Sequence, residues 1–166
     1  MFTEIERRFL VVGDGWREQA RASRIVQGYL SFDPDRTVRV RVAGGEAWLT
    51  VKGRRIGLSR REIEFPMPIG HARELLALCD GIPVEKTRHT LAINGFTWEI
   101  DEFHGVNEGL VIAEVELPDE STHVEPPPWC GIEVSTDRRY SNSSLARVPF
   151  STWPASESGC SPGFTL

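Results

Sequence analysis

Seven stretches of this chain place polar or charged residues at every second position, with apolar residues mostly filling the positions between. They are Glu4, Glu6 and Arg8; Arg39 and Arg41; Thr50 and Lys52; Glu62 and Glu64; Lys86 and Arg88; Glu99 and Asp101; and Glu114 and Glu116. A period of two is that of a β-strand, whose side chains point to opposite faces in turn. Val38, Val40 and Val42 lie opposite the Arg39 and Arg41 face. Leu49 and Val51, Ile63 and Phe65, Trp98 and Ile100, and Val115 and Leu117 do the same in their segments. IVQGYLSF (25–32) reads as a further strand. Gly44-Gly45 and Asn94-Gly95 are two-residue hairpin signals that join neighbours antiparallel. About eight antiparallel strands predict an α+β, mainly β domain. A closed eight-stranded barrel, or a strongly curved sheet, is the natural arrangement.

Helices are few. HARELLALCD (71–80) carries an apolar stripe of Leu75, Leu76, Leu78 and Cys79 and stops at Gly81. WREQARASR (16–24) is compatible with a short helix, and Ser141 or Ser143 with the cap of another. Beyond Pro149 the chain is rich in Ser, Pro and Gly, so residues 149–166 are expected to form a flexible tail. Trp16, Trp48, Trp98 and Phe9 read as packing residues.

A polar strand face ordinarily looks at water. Here the pairs along single strands are often of one sign: Glu-Glu, Arg-Arg, Lys-Arg, Glu-Asp. Like charges about 7 Å apart repel, weakly in water and more strongly in a low-dielectric site. The recurrence suggests a shared inward face, a tunnel with acidic and basic walls. Acids would bind hard divalent cations through oxygen, and bases an anion of high charge density. A metal-chelated phosphate chain needs both. The apolar faces would then look outward, partly covered by Leu75, Leu76 and Leu78. Such a lumen must stay wet or filled, because buried unpaired charge is costly.

Composition narrows the remaining classes. The net charge of −5 disfavours nucleic acid as a partner. No apolar run approaches the roughly 20 residues of a membrane span, and no signal peptide is visible, so a cytoplasmic protein without a membrane partner is expected. Cys79, Cys130 and Cys160 are too scattered for a disulfide framework or a metal pair, and the histidines lack H-x-x-x-H spacing.

Glu4-Ile5-Glu6-Arg7-Arg8 resembles the E-x-E-x-K signature of the CYTH superfamily, the triphosphate tunnel metalloenzymes. VRVR, TVKG, REIEF, EKTRH, WEIDEF and AEVELP follow in family order, and DRRYSN (137–142) is similar to the closing motif of small bacterial members. The resemblance runs from residue 3 to about 147 and implies one domain over 1–148. It implies an eight-stranded tunnel acting on triphosphates with Mg2+ or Mn2+. Carried over by position, Glu4, Glu6, Glu114 and Glu116 would bind metal. Arg8, Arg39, Arg41, Lys52, Lys86, Arg88 and Arg139 would bind substrate. Glu4, Glu6, Arg8 and Lys86 would carry catalysis. Glu62, Glu64, Glu99 and Asp101 would bind a second metal, orient water, or hold the basic residues by salt bridges. Tyr29, Tyr140 and Asn142 would line a tunnel end or serve structure, and Arg138 and Arg139 would reach phosphate or cap their segment.

One departure stands out: the signature's final Lys is Arg8, which keeps the charge but cannot give up a proton. The resemblance implies metal-dependent hydrolysis of a triphosphate, inorganic tripolyphosphate first. A class IV-type adenylate cyclase and a non-catalytic polyphosphate- or nucleotide-binding module remain the alternatives. The partner is a small-molecule triphosphate, and the chain is a monomer or a homodimer.

Overall fold

The computed structural model describes residues 2–155. Among them nine strands form one antiparallel sheet. They are β1 (Phe2–Val11), β2 (Arg21–Ser31), β3 (Arg36–Ala43), β4 (Glu46–Ile56), β5 (Ser59–Met67), β6 (Asp80–Ile93), β7 (Phe96–Phe103), β8 (Val111–Glu116) and β9 (Cys130–Glu133). The order β5-β4-β3-β2-β6-β7-β8-β1 closes on itself through β1 and β5, giving the eight-stranded barrel. β5 takes the first part of one edge of β1, from Phe2 to Ile5, and the short β9 pairs further along at Phe9 and Val11.

Hairpin chemistry sets the registers. Asn94 and Gly95 both have positive φ, as a tight turn twisted like its flanking strands requires, and β6 pairs with β7 from Ile93 opposite Phe96. The expected helix over 16–24 shrinks to a single 3-10 turn, Arg17–Gln19. Residues 21–24 instead lengthen β2, where Arg21 to Arg24 face Thr90 to Thr87 of β6. Ladder hydrogen bonds there outweigh a weak local helical preference.

The apolar strand faces point outward and are covered in two places. Phe9, Trp98, Ile100, Ala113 and Val115 pack beneath Trp16 and Val124. The helix α1 (Ile69–Leu78) lies on β3 and β4, setting Ala72, Leu75, Leu76 and Cys79 against Val40 and Ala47. Leu78, expected in that contact, is 71% exposed; Ala72 is the fully buried residue. Cys79 and Cys130 are free thiols, and Cys160 lies outside the described residues. No helix among the described residues is long and apolar enough to cross a membrane.

One end of the barrel is plugged. There the inner face turns apolar, with Tyr29, Val84, Phe103 and Ile112. A C-terminal segment packs into them with Tyr140, Leu145 and Phe150. It comprises a 3-10 turn (Arg138–Tyr140), α2 (Asn142–Leu145) and a second 3-10 turn (Phe150–Thr152). Ser141, one of the two expected caps, accepts from the Ser144 amide. The expected tail over 149–166 is corrected in its first part. Phe150 is buried and Trp153 sits edge-on to Tyr140 and Phe150. These aromatics anchor residues that composition alone marks as polar, and 156–166 lie outside the described residues.

Gly81 fixes how closely the plug approaches β6. Its φ is +73°, and a Cβ there would meet the Ala146 carbonyl oxygen at 2.6 Å. That same oxygen accepts from the Ile82 amide at 2.8 Å. Gly81→Ala is expected to destabilise the protein by at least about 2 kcal/mol, seen as a lowered unfolding midpoint.

Candidate active site

The strand registers bring the alternating charges together inside the barrel. Glu6 lies directly across from Glu116, Arg8 from Glu114, and Glu99 from Glu114. Lys52 lies across from Glu62, Thr50 from Glu64, and Arg88 from Asp101. Two connected chambers result. The smaller, about 240 Å3, is walled by Glu4, Glu6, Glu62, Glu99, Glu114 and Glu116 on the acidic side. Arg8, Arg39, Arg41, Lys52, Lys86 and Arg88 supply the basic side.

The charges satisfy one another. Lys52 Nζ is 2.9 Å from Glu4 and 2.7 Å from Glu62. Arg8 pairs with Glu6 and, at 3.1 Å, with Glu114. Arg39 and Arg41 both reach Glu64, at 3.4 and 3.2 Å, and Glu64 also accepts from the Thr50 hydroxyl at 2.7 Å. Arg88 reaches Glu99 at 2.5 Å and grips both oxygens of Asp101 at 2.8 Å. All four acids whose role was open are thus in ion pairs: Glu62 with Lys52, Glu64 with Arg39 and Arg41, Glu99 with Arg88, and Asp101 with Lys86 and Arg88.

The deepest cluster is Lys86, Asp101 and Arg88. Lys86 and Asp101 are essentially inaccessible, and the ammonium spends two of its three donors, on Asp101 at 2.5 Å and on Asn142 Oδ1 at 3.1 Å. Burial pushes the Lys86 pKa down to about 8 against the pull of Asp101, and Arg88 adds to the decrease. Two cations share one carboxylate here, so Lys86 is the group that gives way. Burial would raise the Asp101 pKa, but Arg88 and Lys86 together hold it well below the usual carboxylate range. Tyr29, near the plugged end, accepts from Gln27 Nε2 at 3.2 Å; burial lifts its pKa to about 12, so it stays a neutral hydroxyl.

Glu116 is the exception among the acids. It makes no ion pair among the described residues, and its pKa is raised by burial and then by Glu4, Glu62, Glu99 and Glu6. A directly opposed Glu-Glu pair is destabilising on a bare sheet. Among the described residues no three metal-binding side chains are gathered closely enough to hold an ion as they stand, since Glu4 and Glu62 are turned to Lys52 and Glu6 to Arg8. The donor chemistry nonetheless fits a hard divalent cation: several carboxylates with excess negative potential around Glu116.

Some residues fall elsewhere. Arg139 does not line either chamber; it pairs with Asp137 at 2.7 Å and lies over Trp153. Trp48 belongs to the lumen face and not to the outer core: it sits across from Arg41, whose guanidinium carbon is 5.2 Å from its ring centre. Arg55 and Arg60 were missed. Arg55 reaches Glu6 at 3.0 Å, because an irregularity in β4 between Lys52 and Arg55 changes which residues face inward. Arg60 carried a readable signal, standing two positions before Glu62.

Sequence and structure comparisons find relatives of this chain. The CYTH domain profile matches residues 3–148. The chain is 49% identical over 151 residues to an inorganic triphosphatase of Acetivibrio thermocellus, covering 90% of this chain and 97% of the relative. It is 39% identical over 150 residues to an inorganic triphosphatase of Nitrosomonas europaea, covering 87% and 97%. The crystal structure of the inorganic triphosphatase NE1496 superposes with a TM-score of 0.64 at 36% identity, covering 88% of this chain and 95% of that one.

Proposed function

The chain belongs to the CYTH domain family, and from that premise we propose that it hydrolyses inorganic triphosphate inside the barrel, with Mg2+ or Mn2+ as cofactor. One observation carries the reading. The basic groups that face the acidic wall are neutralised by its carboxylates, so only a ligand bearing both signs can replace these pairs without stranding a charge. A metal-bound triphosphate is such a ligand. The names of the two relatives point the same way.

On this reading phosphate oxygens would take over Arg8, Arg39, Arg41, Lys52 and Arg88, and the freed carboxylates of Glu4, Glu6 and Glu114 would hold the metal together with the already unpaired Glu116. A bound divalent ion supplies Lewis-acid neutralisation of phosphate oxygens and lowers the pKa of an attacking water. The protein's own contribution is position and charge, which is most of what phosphoryl transfer needs. Lys86 offers its remaining N–H to the leaving oxygen. Arg8 provides two parallel donors where the family signature has one ammonium, so it serves as a fixed positive charge and not as a proton donor.

The direct test is phosphate release from tripolyphosphate with and without Mg2+ or Mn2+, with ATP in parallel. Metal-dependent release favouring tripolyphosphate is expected. Cyclic product from ATP, or tight binding without release, would overturn the reading.

The electrostatics add a prediction for the free protein. Deprotonated Glu116 is repelled by its neighbours, so its charge costs stability above its raised pKa, and a cation removes that cost. Millimolar Mg2+ should raise the unfolding temperature at neutral pH. The gain should shrink as the pH falls and protons compete for Glu116. Differential scanning fluorimetry across pH reads this directly, and a metal shift independent of pH would contradict it.

A further inference from the structure

Arg60 is a lumen cation without a carboxylate partner. Arg8, Arg39, Arg41, Arg55 and Arg88 each pair with an acid. Arg60 makes no ion pair among the described residues; its guanidinium donates to the Gly53 carbonyl at 2.7 Å and to the Thr37 hydroxyl at 2.8 Å, both neutral. Burial lowers its pKa, and the nearby Arg55 lowers it further. Glu4, directly across from it in the β1–β5 register, and Glu6 pull the other way, but neither forms an ion pair with it among the described residues.

Arg60 lines the larger chamber, about 550 Å3, which adjoins the acid-walled one and shares Arg8 and Arg39 with it. Glu6 and Asp137 line this chamber, each already paired with an arginine; Glu4, Glu62, Glu99, Glu114 and Glu116 do not, whereas Arg54, Arg138 and Arg147 do. Arg138 makes no ion pair among the described residues, and Arg147 lies over the Phe32 ring at 5.3 Å. The Arg39 Nε–H, common to both chambers, is buried without an acceptor.

We propose that this chamber is a second anion site that binds an inorganic phosphate dianion without metal. The inference rests on the hydrolytic reading for its physiological ligand. One water and one triphosphate give one pyrophosphate and one orthophosphate. Pyrophosphate chelates a metal and suits the acid wall, whereas orthophosphate suits a pocket of guanidinium groups. The chamber would receive the orthophosphate as it leaves.

The test is calorimetric titration of the full chain with inorganic phosphate in the presence of a chelator. Saturable metal-free binding is expected. Arg60→Gln should weaken it by at least about tenfold, the loss of a charged donor pair, and Arg147→Gln by a smaller factor. Glu116→Gln, on the other wall, should leave it unchanged within about twofold. Arg147 is exposed, so its variant keeps the test decisive if Arg60→Gln folds poorly. Binding that appears only with Mg2+, or that both arginine variants retain in full, overturns the proposal. Tripolyphosphate hydrolysis measured on the same samples separates the two readings. Absent hydrolysis with intact metal-free phosphate binding removes only the hydrolase assignment. Intact hydrolysis with no arginine-dependent phosphate binding removes only the second site.

Discussion

Glu116→Gln is expected to lower tripolyphosphate turnover by at least about a thousandfold, some 4 kcal/mol of barrier, while leaving the folded protein as stable as before or slightly more so. The two effects have one cause. Glu116 is opposed to Glu6 across the β1–β8 pair and is crowded by Glu4, Glu62 and Glu99, with no ion pair of its own among the described residues. The amide keeps the shape and removes the repulsion. Because Glu116 is largely exposed, the stability gain should be only a few tenths of a kcal/mol. Gln is a far poorer ligand for a hard cation, so the charge that neutralises the phosphate chain is lost. Phosphate release and thermal unfolding on one preparation measure both. Undiminished turnover would remove Glu116 from the metal wall. A variant that is inactive but much less stable would mark it as a structural residue.

Asp101→Ala should have the largest effect on stability. Its carboxylate is the counter-charge of Lys86, which is almost inaccessible, and one of the counter-charges of Arg88, which keeps Glu99. Removing it strands the Lys86 ammonium, a loss of about 3–5 kcal/mol for a broken buried pair. For a chain of this size that is a fall of roughly 10 °C in melting temperature. Adding Lys86→Met should recover part of the loss, since one fewer buried cation then needs a partner. The pH dependence follows from the depressed Asp101 pKa. The folded state keeps this carboxylate charged where the unfolded chain would protonate it, so its contribution is present at neutral pH. It is lost as the pH falls through the folded-state value. Lys86 acts at the other end. With its folded pKa near 8 in the free protein, its positive charge fades as the pH rises through that value, and kcat/KM for tripolyphosphate should decline there.

The barrel and most of its lumen were legible because alternation is a local signal and seven of the eight barrel strands repeat it. Same-signed pairs such as Glu114 and Glu116 gave the direction of the inner face, which alternation alone does not. What escaped were places where tertiary contacts override local pattern. The irregularity in β4 brings Arg55 into the lumen from a position of the wrong parity. Trp48 follows the polar parity of Thr50 and Lys52, yet its chemistry suggested the outer core. Phe150 and Trp153 pin a segment whose neighbours are Ser and Pro, and two aromatics are enough to offset that composition. Leu78 is apolar at helical spacing but faces away from the sheet, between Leu76 and Cys79, which both pack. Metal coordination is a further step removed, because in the free protein the acids are turned to internal bases.

The barrel closes through its first strand. β1 waits for β5 on one edge and for β8, nearly the last barrel strand, on the other. A nascent chain emerging from the ribosome can pair Phe2–Ile5 with β5, but the β8 edge of β1 stays open until Glu114 and Glu116 have been synthesised. Contacts so distant in sequence make folding slow and expose strand edges in the meantime. The carboxylates proposed to hold metal come from both ends of that interval, so on that reading a truncated product would carry only half of them. The lumen is completed in one step, with the joining of the final seam.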